Sequence, residues 1–245
     1  MSAADPELRA EQVRAMFARI ARRYDLLNRL MTFGRDRAWR REAVARLELP
    51  GSGRILDLGT GTGELASACR QTHPGAQVVA CDFTCEMMTL GKARERGGKI
   101  AWAMADAGSL PFADETFDAV VSGFLLRNVA DLDRVLREQV RVLKPGGRLA
   151  ALDTTPPSPG PLAPLVRFHL RRVIPALGRL IAGDAPAYRY LPASTEAFAD
   201  AETLAASLHA AGLAGVSFVR RMLGAIAIHW GSKPDARGGS DGPAG

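Results

Sequence analysis

The sequence predicts an α/β fold: a doubly wound, mostly parallel seven-stranded sheet with a C-terminal antiparallel hairpin, an N-terminal helical extension and a helical insertion after strand five. Three observations predict it. Arg54-Ile-Leu-Asp-Leu-Gly-Thr-Gly-Thr-Gly63 is a short apolar run that ends in a glycine-rich turn, and Glu64-Leu-Ala-Ser-Ala-Cys-Arg70 continues it as a helix. Strand, tight turn and helix open a parallel β-α-β unit. Gln77-Val-Val-Ala-Cys-Asp82 is a second apolar run, ending in an acid at the spacing that meets a ribose in nucleotide folds. Beyond it strand and helix patterns alternate, with connections long enough for right-handed crossovers.

The elements follow in order. From Glu11 to about Arg29, Val13, Met16, Phe17, Ile20 and Leu27 recur at helical spacing between arginines, and Tyr24-Asp-Leu-Leu-Asn28 interrupts the arginine pattern. Arg35 to Leu47 reads as a second basic helix carrying Trp39 and Val44. This block, residues 11–50, precedes the first strand, so it is expected to cap the sheet or form a lid over the substrate side. After Asp82, Cys85 to Arg96 reads as a helix with Met87, Met88 and Leu90, ended by Gly97-Gly98. Ile100 to Ala105 is strand three and Phe117 to Ser122 strand four. The loops that leave them carry Asp106, Ala107 and Gly123 to the carboxyl edge, where open α/β sheets bind ligands. Asp131 to Leu143 is an amphipathic helix, Lys144-Pro-Gly-Gly-Arg148 a turn, and Leu149 to Leu152 strand five. Pro156 to Pro161 breaks regular structure. Leu162 to Ala182 resumes a helical pattern that Pro175 should kink, and residues 157–195 are expected to cover the substrate. Asp200 to Ala211 is a helix ended by Gly212; Val216 to Arg220 and Ala225 to His229 form the hairpin. Residues 11–233 make one domain, and the glycine- and proline-rich 234–245 a disordered tail.

Glycines 59, 61 and 63 remove the side chains that would obstruct a ligand at the turn. Gly-Thr-Gly-Thr-Gly lacks the Gly-x-Gly-x-x-Gly pattern that seats a pyrophosphate. A ribose-bearing cofactor without a diphosphate therefore fits better than a nicotinamide dinucleotide, and S-adenosylmethionine is one. Asp82 is expected to accept from both ribose hydroxyls; a helix N-cap is the alternative.

Composition sets limits. The chain has 245 residues, 47% hydrophobic and 24% charged, with net charge +6 carried almost wholly by arginine, an ordinary balance for a globular domain with a sizeable core. No run approaches the ~20 apolar residues that span a bilayer. The start lacks the apolar block of a signal peptide, so the expected location is cytoplasmic. Cys69, Cys81 and Cys85 are badly spaced for zinc or disulfides and are expected to be small buried residues. No zinc-finger spacing, RNA-binding aromatic motif or arginine-dense run points to nucleic acid.

A longer set of motifs resembles one family of class I methyltransferases, with their Rossmann-like fold: those that C-methylate demethylmenaquinone and ubiquinone precursors. The set is Phe17, Tyr24-Asp-Leu-Leu-Asn28, Phe33-Gly34 with Trp39, Leu110-Pro-Phe112 with Phe117-Asp118, and Leu126-Arg-Asn-Val129. It continues through Arg141-Val-Leu-Lys-Pro-Gly-Gly-Arg148, Tyr188-Arg-Tyr-Leu191 and Ala227-Ile-His-Trp-Gly-Ser-Lys233, covering residues 13 to 233. The chain departs from that pattern at Asp36, where the family usually has histidine, and at Leu125, where it usually has glycine. It departs again at Leu152-Asp-Thr-Thr-Pro-Pro157, and at Gly123, often a serine.

The resemblance implies S-adenosylmethionine as cofactor and a reduced prenylated quinone precursor as acceptor, most simply demethylmenaquinol. It places the cofactor on Asp57, Gly59, Gly61, Thr62, Asp82, Asp106, Ala107 and Gly123. Arg127, Asn128 and Tyr24 are the catalytic candidates, and Asn28, Tyr188 and Tyr190 the substrate-binding ones. Arg127 cannot act as a base while protonated, so it is expected to stabilise a forming phenolate or hold a water. An ion pair with Asp131 or Asp133 is its alternative. No metal is expected, no histidine is assigned a catalytic role, and His229 is read as structural. A homodimer and a peripheral contact of the basic 162–182 segment with the inner face of the membrane are left open; an ordinary solvated helix face is the alternative. Competing readings are a methyltransferase for another small aromatic or lipid acceptor, and a non-catalytic scaffold of a quinone-biosynthesis assembly. An oxidoreductase is disfavoured, because a Tyr-x-x-x-Lys pair and a diphosphate loop are missing.

Overall fold

The computed structural model describes residues 6–49, 51–95, 97–157, 161, 163–177, 190 and 193–235. Its strands are β1 (Arg54–Leu58), β2 (Gln77–Asp82), β3 (Ile100–Met104), β4 (Phe117–Gly123), β5 (Leu143–Thr154), β6 (Ala214–Arg221) and β7 (Ile226–Ser232). They form one seven-stranded sheet in the order β3-β2-β1-β4-β5-β7-β6. The first five strands run parallel, and β7 enters antiparallel between β5 and β6. The chain winds outward from β1 to β3 and then returns to the far side of β1 with β4. That reversal leaves a crevice at the carboxyl ends of β1 and β4.

Continuous apolar strands dictate a sheet covered on both faces. Ile55, Val78, Ala80 and Val121 meet Leu65, Ala66 and Cys69 of α3 (Glu64–Thr72) together with Val44 of α2 (Asp36–Ala45). On the other face Leu56, Leu58 and Val120 meet Val135 and Leu136 of α5 (Leu132–Val142) and Leu204 and Leu208. Each such side chain contributes roughly 1.5–3 kcal/mol when fully buried. Asp131 caps α5 by accepting the Arg134 N–H at 2.9 Å. Between α5 and the β3–β4 loop, Arg141 donates to the carbonyls of Phe112 and Leu110 and pairs with Glu138 and Asp114, which fixes the loop leaving β3.

The N-terminal block differs from its expected outline. Helix α1 runs from Pro6 to Met31, longer at both ends than the expected Glu11 to Arg29, and Val13, Phe17, Ile20, Leu27 and Met31 keep one buried stripe along it. That stripe packs on Met87 of α4 (Cys85–Arg94) and on Val166, Leu170 and Ile174. The last three belong to α6 (Ala163–Phe168) and α7 (Ile174–Leu177), joined by a widened π turn, His169–Val173. Pro175 lacks the N–H that a regular turn would require there. Residues 178–182 of the expected helix, Tyr188, and most of the 234–245 tail lie outside the described residues.

Two further expectations are corrected. Strand β5 begins at Leu143, opposite Phe117, swells over Lys144–Gly147 and resumes at Arg148 opposite Ala119; the Pro-Gly-Gly segment is a bulge within a strand. A Cβ on Gly147 would lie 2.7 Å from the Lys144 carbonyl oxygen, so the swelling needs glycine. Among the cysteines Cys69 and Cys81 are buried, but Cys85 is exposed at the solvent side of α4. His229, by contrast, is buried with Nε2 2.9 Å from the Ala201 carbonyl, as its structural reading requires.

Gly63 has φ +82, and a Cβ there would meet the Trp102 ring at 2.7 Å. Gly63→Ala should therefore cost about 1–3 kcal/mol of stability. Urea unfolding checks this: the midpoint falls at an unchanged slope, and Trp102→Phe in the same chain recovers part of the loss.

Candidate active site

The crevice holds a cavity of about 390 Å³, within the size range of small-molecule sites. Its floor is the glycine loop after β1, one wall is α1, and the other walls are the loops after β2, β3 and β4.

The glycine loop is held from beneath. The Gly59 and Thr60 N–H groups donate to the Cys81 carbonyl at 2.8 and 2.9 Å. Asp82 receives the Gly61 N–H on one oxygen and the Thr84 N–H on the other, both at 2.8 Å. Asp82 thus ties the end of β2 to the loop while its carboxylate still faces the cavity. Burial pushes its pKa up, and the Thr84 and Gly61 amides hold it down in part. Asp57 lies below, fully buried and off the cavity, and accepts the Thr60 hydroxyl at 2.6 Å. It shapes the loop and does not face a ligand. Burial raises its pKa to about 7, opposed chiefly by the Thr60 hydroxyl.

The glycines are needed for a different reason from the expected one. A Cβ on Gly59 would strike the Leu125 side chain at 2.8 Å, and one on Gly63 would strike Trp102. Gly61 alone of the three presents nearly bare backbone, with Met87 Cε 3.8 Å from its notional Cβ. Leu125, the residue that departs from the family pattern, thus lies on the glycine loop and also lines the cavity.

Asp106 and Ala107 line the cavity, with the Asp106 Oδ1 accepting the Gly108 N–H at 2.6 Å; Gly123 lines it too. Thr62 also lines it, but its hydroxyl donates to Asp25 of α1 at 2.8 Å, and Asp25 pairs with Arg94 of α4. Asp25 was not among the expected site residues. Its signal was an acid next to Tyr24 on an arginine-rich helix.

At the opposite end stands Phe124, in the left-handed region at φ +60, a strained conformation for an aromatic residue. Its N–H donates to the Leu152 carbonyl at 2.7 Å and its carbonyl accepts Asn128 Nδ2 at 2.8 Å. The Arg40 and Arg127 guanidinium carbons lie 5.6 and 5.2 Å from its ring centre. Arg127 does not line the cavity. It forms a buried ion pair with Asp153 at 2.5 Å, displacing both the expected contact with the acceptor and the alternative pairing with Asp131 or Asp133. Asn128 lines the cavity and its Oδ1 is buried without a partner. Tyr24 lines it as well. Burial raises the Tyr24 pKa, and Arg127, Asn28 and Arg40 offset part of the rise. Asn28 lies behind Tyr24, off the cavity; Tyr190 packs against the α1 cluster with its hydroxyl unpartnered, also off the cavity. Asp36, where the family usually has histidine, is buried and pairs with Arg40.

The model of the ubiE/COQ5 methyltransferase family matches residues 6–233. The chain belongs to that family. Among similar relatives, the ubiquinone/menaquinone biosynthesis C-methyltransferase UbiE of Desulfotalea psychrophila is 51% identical over 221 residues, 90% of each chain. The demethylmenaquinone methyltransferase of Thermus thermophilus is 48% identical, covering 89% of this chain and all of the other. A solved SAM-dependent methyltransferase of Thermotoga maritima has the same fold, with a TM-score of 0.63 at 21% identity over 89% of this chain and 99% of the other. The protein is a methyltransferase.

The Asp57 carboxyl of this methyltransferase binds its proton more tightly folded than unfolded, 7 against 3.8. Stability is therefore lost as pH rises from about 4 through about 7, by on the order of 4 kcal/mol for this group. Asp57→Asn should flatten that decline, as read from thermal midpoints of the ligand-free protein across the same pH range.

Proposed function

We propose that this methyltransferase transfers a methyl group from S-adenosylmethionine to a ring carbon of a reduced prenylated quinone precursor, demethylmenaquinol giving menaquinol. The observation that carries the proposal is that one cavity joins the glycine loop and Asp82 to the Tyr24, Phe124 and Asn128 end. The names of the relatives support the acceptor class.

The residues fit the donor. Asp82 keeps acceptor capacity towards the cavity for two ribose hydroxyls, Gly61 offers open backbone, and the Asp106–Ala107 loop borders the adenine position. When bound, the donor supplies an electrophilic methyl on a sulfonium. The protein must then align a ring carbon with that methyl, and orientation of this kind supplies ~7–11 kcal/mol of a barrier. Phe124 offers a flat aromatic wall that its two arginine neighbours hold in place. The Tyr24 hydroxyl is protonated at neutral pH, and burial moves its pKa further up, so it donates a hydrogen bond to an acceptor oxygen. Asn128, whose Nδ2 donates to the Phe124 carbonyl, holds that wall beside the acceptor. Arg127, paired with Asp153, acts from behind by supporting the Phe124 ring.

A prenyl chain also needs an apolar setting. Leu26 and Leu30 on the outer side of α1, Phe33 just beyond it, and Leu165 and Phe168 on α6 are exposed. Phe33 stacks on His169 at 5.4 Å, so these elements meet, and they also carry the exposed Arg22, Arg29, Arg167 and Arg172. This surface meets the membrane in which the acceptor is dissolved, as basic, apolar faces do.

Asp82→Ala should weaken S-adenosylmethionine binding at least about tenfold in calorimetry. Tyr24→Phe should keep that affinity and lower turnover about tenfold to hundredfold, measured with labelled donor and a panel of reduced naphthoquinones and benzoquinones. A panel in which no quinol is methylated would refute the acceptor. Phosphatidylglycerol-containing vesicles should sediment the protein, and Phe33→Ser with Phe168→Ser should release it.

A further inference from the structure

We infer that Arg40 holds an oxyanion inside the cavity: the carboxylate of the donor's amino-acid part, or the ionised hydroxyl of the acceptor. The inference rests on the proposed function only for the identity of that anion. Helix α2 buries Trp39, Ala43 and Val44, and with them two charged residues, Asp36 and Arg40. Burying a cation is costly unless something in the fold or a ligand compensates it. Arg40 is 6% exposed and lines the cavity. A guanidinium carries five N–H donors. Among the described residues its one hydrogen bond runs from Nη1 to Asp36.

The spare donors are not sealed away. Arg127 Nε is shut from solvent without a partner, whereas no nitrogen of Arg40 is orphaned in that way. The open space that Arg40 borders is the cavity, so its unused N–H groups look into it. The Phe124 ring, 5.6 Å from the guanidinium carbon, limits how far the group can swing. Arg40 lies where both anions would come. Gly59 to Thr62, where the amino-acid end of the donor would lie, share the cavity with it. Its charge is also felt at Tyr24, beside the acceptor end. Hydrogen bonds from a guanidinium to an oxyanion are about twice as strong as neutral ones. Of the five acids facing the same space, four are engaged elsewhere: Asp25 with Thr62 and Arg94, Asp82 with Gly61 and Thr84, Asp106 with Gly108, Asp131 with Arg134; the fifth, Glu64 at the start of α3, makes no bond to Arg40 among the described residues. Arg40 is left to meet a carboxylate or phenolate.

The test removes the pair together, because Arg40→Met alone would strand Asp36 as a buried charge. Arg40→Met with Asp36→Asn is compared with Asp36→Asn alone by calorimetry, using S-adenosylhomocysteine and 5′-methylthioadenosine, which lacks the amino-acid part. If the anion is the donor's carboxylate, the double variant loses at least about tenfold in affinity for the first and almost none for the second. If it is the acceptor's oxygen, both affinities hold. The KM for the quinol then rises at least about tenfold, and the acid limb of the pH profile of kcat/KM moves to higher pH. Asp36→Asn alone takes away the buried partner of Arg40 and lowers the thermal midpoint, but it keeps the guanidinium beside the cavity, so the ligand affinities and the KM stay close to the parent's. The inference is overturned if the folded double variant, with the parent's thermal midpoint, matches the parent in every reading, or if Asp36→Asn alone reproduces the loss. A parent that methylates no quinol but binds homocysteine-containing ligand through Arg40 would refute the acceptor proposal and leave this one standing.

Discussion

The hydrogen bonds that converge on the glycine loop are the constraint on which the site depends. Three alternate glycines at positive φ would be a floppy segment in an isolated chain, because each has more backbone freedom than any other residue. Here the Cys81 carbonyl takes two of the loop's N–H groups and Asp82 a third. The loop is thereby fixed to the end of β2, the same place from which Asp82 faces the cavity. Positioning the loop and presenting the acid are one act, so neither can shift without the other. Asp57 completes the arrangement from below through Thr60.

Around this floor the walls are joined by charged pairs drawn from distant parts of the chain. Asp25 links α1 to the loop and to α4, Asp36 and Arg40 close the α2 side, and Arg127 and Asp153 stand behind Phe124. Buried pairs of this kind add little net stability, since desolvation offsets much of their attraction. Their geometry is directional, however, and a wrong placement of α1 would leave Asp25, Thr62 and Arg94 unpaired at once. The helical block before the first strand is thereby held in register over the crevice, where Phe17 and Tyr24 become part of the cavity wall. The strain at Phe124 fits the same account: two backbone-directed hydrogen bonds and two arginines oppose its relaxation.

How much of this was legible follows from the range of each interaction. The strand, turn and helix at 54–72 and the acid closing β2 are set by neighbours a few residues away, and the sequence showed them. The bulge at Lys144–Gly147 looked like a turn, since glycine and proline mark both and only pairing with β4 tells them apart. Arg127 was assigned a role from its place after β4, but its partner is 26 residues on. Arg40 drew no notice because an arginine on a basic helix reads as solvated until the helix is docked. The glycine pattern was recognised while its reason was misread: Leu125 and Trp102, not the ligand, occupy the space at two of the three positions.

Leu125 shows what such a misreading hides. A leucine at that position looks like an obstruction when compared with the glycine usual in the family. In the fold its side chain lies against Gly59 and also borders the cavity, so it connects the donor floor to the acceptor wall. The closeness of that packing means that a side chain at Gly59 and a leucine at 125 exclude one another. With Gly59 fixed by its positive φ and its bond to Cys81, Leu125 adds an apolar ledge between the glycine loop and Phe124. Under the proposed function, a ledge there favours a flat, apolar ring lying against it and leaves polar recognition to Tyr24 and the arginine across the cavity. The departure from the family pattern therefore changes the shape of the acceptor end while leaving the loop beneath it in place.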